Sequence, residues 1–203
     1  MIRKLVSLIL LFTFMLSFAV GRSETLSSSE QPPDDSVTER KVTYAPSSAD
    51  IFMDSIDDIM KEELVRSVIS EDEEALMARM LWGEDRENPY YQRAAVIWVV
   101  FNRMDAWGYR IENIVNEKQF GGYHPGNPVK PWAVDLVRDV TIRYVLEQNG
   151  FTDVGRTLPK AYLYFENIPP RRDHIFKIKE RLSDKTNTTW DWSLPSPYYQ
   201  DKD

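Results

Sequence analysis

The stretch Leu76–Met104, LMARMLWGEDRENPYYQRAAVIWVVFNRM, decides how this chain is read. Its first half carries Leu76, Met77, Met80, Leu81 and Glu84, and residues three or four apart share a helical face. The spacing predicts a helix whose apolar stripe ends in one acid. Just upstream, Ser70-Glu71-Asp72-Glu73 is a capping box, with Ser70 placed to accept a backbone N–H and Glu73 to reach back. The second half opens on Asn88-Pro89, read as an N-cap followed by proline at the first helical position. Ala94 to Phe101 then runs without one charged or small polar side chain, and a helix apolar on all sides belongs at the centre of a domain. A carboxyl group at the junction of two such helices is partly dried. Drying disfavours the charged form and raises the pKa, which suits a general acid at neutral pH.

Composition limits the alternatives. The chain has 203 residues, 42% hydrophobic, enough for one domain with its own core after a leader and a linker are set aside. It has no cysteine, which excludes disulfides, thiolate metal sites and a lipidated cysteine anchor. His124 and His174 are its only histidines, so a zinc site has little to build on, and neither a metal nor a cofactor is expected. The formal charge is −7, and loss of a leader containing Arg3 and Lys4 would make the chain more acidic still. That balance argues against nucleic acid as a partner.

At the amino terminus, Arg3 and Lys4 precede the uncharged run Leu5–Val20, and Ala19-Val20-Gly21 offers a small-x-small cleavage site. Residues 1–21 read as a secretory signal peptide, with an uncleaved anchor as the alternative and the sole route to a membrane. Residues 22–50, with Ser27-Ser28-Ser29 and Pro32-Pro33, read as a disordered linker. Ile51 to Ile69 has the spacing of one amphipathic helix, packed against the domain.

Downstream, Ala106–Pro131 is rich in Gly and Pro and reads as a long connection with short turns at most. Gln119, Phe120, Tyr123 and His124 are its sugar-suited residues, because amides bind hydroxyls and aromatic faces pack on C–H faces; the plain alternative for each is loop packing. Pro131 opens a helix to about Gln148, with Gly150 as its stop. Lys160–Ile168 reads as an extended aromatic segment with Tyr162 and Tyr164 facing a groove. His174–Leu182 reads as a short helix or an extended piece, and the aromatic tail Trp190–Asp203 as lying across the domain, with a disordered end as the alternative. Trp82 and Trp98 read as core, and His174 as structural. Asn102 is either a polar group at the mouth of the site or a helix-end cap.

Trp82-Gly83-Glu84 followed by Asn102-Arg103 resembles the opening of the bacterial cell-wall hydrolases typified by the spore cortex-lytic enzymes. Lys118-Gln119-Phe120 stands where that family has Gly-Gln-Phe. Ala161-Tyr162-Leu163-Tyr164-Phe165 resembles its Ala-Leu-Tyr-Phe segment, and His174-Ile175-Phe176 its closing His-x-Phe. The likeness spans Leu76 to Phe176, with the pieces in the family's order. Two departures stand out: Asp85 where the family has a small residue, and a shorter loop carrying Gly122-Tyr123-His124-Pro125.

The resemblance implies a mainly α, lysozyme-like helical domain with a small extended or β segment, spanning residues 51–203 with a core at 70–182. It implies cleavage of the glycosidic bond between N-acetylmuramic acid and N-acetylglucosamine in peptidoglycan, by a secreted or cell-wall-associated bacterial enzyme. A lytic transglycosylase needs one acid, whereas ordinary glycosidases need two. Glu84 is the expected catalytic residue. Asn102, Gln119, Phe120, Tyr123, His124, Tyr162 and Tyr164 are the expected substrate-binding residues. Asp85 and Glu87 are the rival acids should the enzyme be a hydrolase. The alternative class is a non-catalytic glycan-binding or assembly protein on the same fold.

Overall fold

The computed structural model describes residues 45–116, 118–167, 174–178, 190 and 192–199. The expected signal peptide and most of the expected linker lie outside them. Within them the chain is mainly α, with six helices and one two-stranded sheet.

The first two helices are α1 (Ser48–Ser55) and α2 (Asp58–Arg66), where the apolar spacing alone predicted a single helix. The break follows from capping. The Ser47 hydroxyl accepts from Asp50 N at 3.1 Å, and the Asp50 carboxylate accepts from Ser47 N at 2.8 Å. Asp57 then starts a new helix by accepting from Met60 N at 2.8 Å. Each cap satisfies N–H groups that a helix start leaves unpaired. Order therefore begins before Ile51, and Ala49, inside the expected linker, is fully buried.

Helix α3 (Glu71–Asp85) starts on the predicted capping box, with Glu73 N donating to Ser70 Oγ at 3.2 Å and Ser70 N to Glu73 Oε2 at 2.9 Å. Helix α4 (Tyr90–Trp107) begins one residue later than the sequence indicated. Pro89 is its cap residue, and Asn88 is buried beside Asp85 instead of capping. Gly108, at φ 67°, closes α4 in a left-handed conformation that costs glycine little. A single turn, α5 (Ile111–Ile114), precedes the loop, and α6 (Pro131–Gln148) has proline at its first position as expected.

Every side chain from Ala94 to Phe101 is fully buried, so α4 is the central helix, and α3 and α6 pack on it and on each other. Apolar burial at this scale supplies the main stabilisation of the domain. Strands β1 (Tyr164–Asn167) and β2 (His174–Lys177) form an antiparallel ribbon in which Phe165 faces Phe176 and Asn167 faces His174. The aromatic tail crosses the domain: Trp190 Nε1 donates to Thr157 O at 2.9 Å, the Trp192 ring meets Tyr91 edge-on at 4.7 Å, and Tyr198 is buried. Among the described residues no helix is long and apolar enough to cross a membrane.

Candidate active site

Glu84 sits in the last turn of α3, and its carboxylate accepts a 2.7 Å hydrogen bond from the backbone N–H of Gly122. What makes this contact possible is the absence of two side chains. A Cβ on Gly83 would lie 1.8 Å from Gly122 O, and one on Gly122 would lie 2.4 Å from Gly83 O and 2.9 Å from Glu84 N. Glycine at both positions lets helix backbone and loop backbone touch. Asn127 locks the arrangement, donating to Gly122 O at 2.9 Å and to Arg79 O at 3.2 Å. The Gly-rich loop is thereby held against the end of α3.

The Glu84 side chain is half-buried. Burial pushes its carboxyl above the usual carboxylate value, and neighbouring Asp85 adds to the rise; the Gly122 N–H, His174 and Arg103 offset part of it. Such an acid keeps its proton to higher pH than a free carboxyl does, can yield it, and is stabilised as a carboxylate by the waiting N–H. Nothing comparable is available from its neighbours. The Asp85 and His174 side chains are wholly buried, with Nε2 of His174 3.1 Å from Oδ1 of Asp85, a close approach without hydrogen-bond alignment. Burial raises the Asp85 carboxyl too, with His174, Asn88 and Arg93 pulling against the rise. Glu87 is exposed and lies 3.8 Å from Arg86. One rival acid is sealed in and the other is in solvent.

Comparison with protein-family models, with curated proteins and with solved structures finds no match.

Of the expected substrate-binding residues, Gln119 and Tyr164 come together, with Trp107 and Tyr109, around an open depression of about 400 Å³. Gln119 is exposed and accepts from Arg103 Nη1 at 3.4 Å. Tyr123 is half-buried; His124 is exposed, its Nδ1 accepting from Gly126 N at 3.0 Å, which shapes the loop.

Three expectations are corrected. Asn102 is buried rather than at a mouth: its amide nitrogen donates to Pro159 O at 2.9 Å and Tyr162 O at 2.8 Å, and its oxygen accepts from Arg156 Nη1 at 2.8 Å. Those bonds use the amide to tie α4 to the segment leading into β1. Phe120 is 1% exposed, with Arg103 over its ring at 4.9 Å and Phe165 at 5.8 Å, so it anchors the loop in the core and cannot stack on a sugar. Tyr162 is buried against Trp190. It lies before the ribbon begins, so strand alternation does not carry it to the face that Tyr164 occupies. Trp98 is core, as expected, whereas Trp82 is only half-buried and covered by Arg86 at 4.9 Å.

Trp107 and Tyr109 were missed by sequence reasoning. Two aromatics flanking a helix-closing glycine, Trp107-Gly108-Tyr109, were the available signal, because the chain reverses there and brings both rings to one place. Among the described residues, no group of three or more His, Asp or Glu side chains is placed to hold a metal ion.

Proposed function

We propose that this chain is a secreted peptidoglycan-cleaving enzyme built on a lysozyme-like helical domain, with Glu84 as its single acid and base. The observation that carries the reading is a half-buried, raised-pKa carboxyl pinned to a glycine loop at a helix end, beside an Asp85 that is buried and a Glu87 that is exposed. The family resemblance in Trp82-Gly83-Glu84 and in the segments that follow it supplies the substrate: the bond between N-acetylmuramic acid and N-acetylglucosamine.

The chemistry follows from one group used twice. Protonated Glu84 gives its proton to the leaving glycosidic oxygen as the C1–O bond breaks. The resulting carboxylate, stabilised by the Gly122 N–H, then takes the proton of the muramic C6 hydroxyl as that oxygen bonds to C1 and closes the anhydro ring. The acid is regenerated in the same step. A lytic transglycosylase is the outcome, and no metal enters the scheme.

The competing reading, a glycan-binding protein without chemistry, takes its support from Asp85 at a position where the resembled family is small. Asp85 points into His174, away from solvent, and acts on Glu84 only through its charge, which adds to the raised pKa.

The test is to incubate the protein with vegetative peptidoglycan and with cortex-type glycan and to resolve the products by mass spectrometry. Anhydro-muramic ends are expected from the wild type, and a loss of roughly 10²–10⁴-fold in Glu84→Gln. Reducing ends would make the enzyme a hydrolase. Unchanged cleavage by Glu84→Gln would remove Glu84 from the chemistry, and binding without product would favour the non-catalytic reading.

A further inference from the structure

The depression beside the Gln119 loop has the parts of a sugar subsite, and they were assembled by elements remote from Glu84. Trp107 ends α4, and the left-handed turn at Gly108 brings Tyr109 back toward it, ring centroids 6.2 Å apart. Tyr164, from β1, closes the other side at 6.3 Å from Trp107. Beneath them lies Arg103, 3% exposed, its guanidinium 5.1 Å from the Trp107 ring and 5.3 Å from that of Tyr164. Its Nε donates to Leu163 O at 2.6 Å, so the cation is fixed in place. A buried cation against two rings helps hold them in place, and both Trp107 and Tyr164 keep part of their surface exposed.

Gln119 completes the arrangement through its orientation. Arginine carries only donors, so the amide oxygen must face Arg103 and the NH₂ must point away from it. An exposed N–H donor therefore stands at the rim of an aromatic floor. Tyr109 is 56% exposed, one of the few large apolar side chains at the surface among the described residues, and the core has no use for it there.

Rigid rings that pack on C–H faces, together with a donor aimed at a carbonyl or hydroxyl oxygen, match the face of an N-acetylated pyranose. We propose that Trp107, Tyr109, Tyr164 and Gln119 form a subsite for one N-acetylhexosamine unit of a glycan chain. This inference rests on the proposed function, since it concerns the same substrate. Gln119 and Gly122 are three residues apart, within roughly 10 Å even if the chain is extended. That separation is within the reach of a short oligosaccharide bound in the depression.

The experiment uses two readouts on the whole protein. Binding of the β-1,4 tetramer of N-acetylglucosamine to the Glu84→Gln protein is measured by calorimetry, with the unacetylated glucose tetramer as comparison. Cleavage of peptidoglycan is measured in the Glu84 background. Trp107→Ala or Tyr109→Ala should weaken tetramer binding about tenfold. Gln119→Ala should weaken it about fivefold and reduce the preference for the acetylated tetramer. Trp107→Phe should restore most of the binding, and unchanged melting of each variant separates lost contact from lost fold. In cleavage, kcat/KM should fall with the same ranking.

Cleavage by the wild type that is indifferent to Trp107→Ala and Tyr109→Ala would overturn the subsite and leave the proposed function standing. Ring-dependent binding of the acetylated tetramer without any cleavage would leave the subsite standing and overturn the enzyme reading. Neither binding nor cleavage would overturn both.

Discussion

Glu84 and Asp85 are consecutive residues of one helix, and they occupy opposite kinds of surroundings. Glu84 opens toward the glycine loop, half-wet, with one backbone N–H as its partner. Asp85 turns inward to a fully buried histidine, with no solvent and no aligned hydrogen bond. Burial raises both carboxyls, but only Glu84 keeps part of its side chain exposed. The difference teaches that a perturbed acid marks a site only when an approach to it is open. A step of about 100° round the helix separates a half-exposed carboxyl from a sealed one.

The strongest way to break the contrast is at the glycine pair. Gly122→Ala puts a Cβ into the backbone of Gly83 and Glu84, so the loop must withdraw and the N–H leaves the carboxylate. A loss of about 3 kcal/mol in stability is expected, together with most of the cleavage, readable by denaturant unfolding and product analysis. Asp85→Ala tests the inward side. It strands His174 in a dry site and should cost roughly 3 kcal/mol, whereas the double change Asp85→Ala with His174→Phe should recover part of that loss. An equal cost in single and double variants would show that the two side chains do not act as a pair.

A smaller effect sharpens the outward side. The folded state raises the Glu84 pKa, so it binds a proton more tightly than the unfolded chain does. Stability from this group is complete below the ordinary carboxylate range and falls as pH rises toward the elevated value. Glu84→Gln removes that loss. It should melt higher than the wild type at neutral pH, and the gap should close as the pH is brought below the ordinary carboxylate range. A gap that widens on acidification would contradict the raised pKa. The smallest change is expected from Glu87→Gln, at an exposed position beside Arg86: within 0.5 kcal/mol in stability, roughly, and no change in cleavage.

Sequence alone determined the helices with strong periodicity and caps. The Ser70 box, the apolar run from Ala94 and the Pro131 start are local signals, since capping and one-face burial act within a few residues of the chain. The position of Glu84 at the end of an apolar stripe belongs with these. Whether Ile51–Ile69 was one helix or two turned on the Asp57 cap, which apolar spacing does not weigh.

Tertiary structure decided which polar and aromatic residues face solvent. Asn102, Phe120 and Tyr162 have the right chemistry for sugar and are spent inside, while Tyr109 is exposed because Gly108 reverses the chain, and Trp107 is half-buried with Arg103 against its ring. The meeting of Gly83 with Gly122, and of Asp85 with His174, joins residues far apart in sequence. Contacts of that range depend on how whole helices and loops dock, and no short window of residues encodes them.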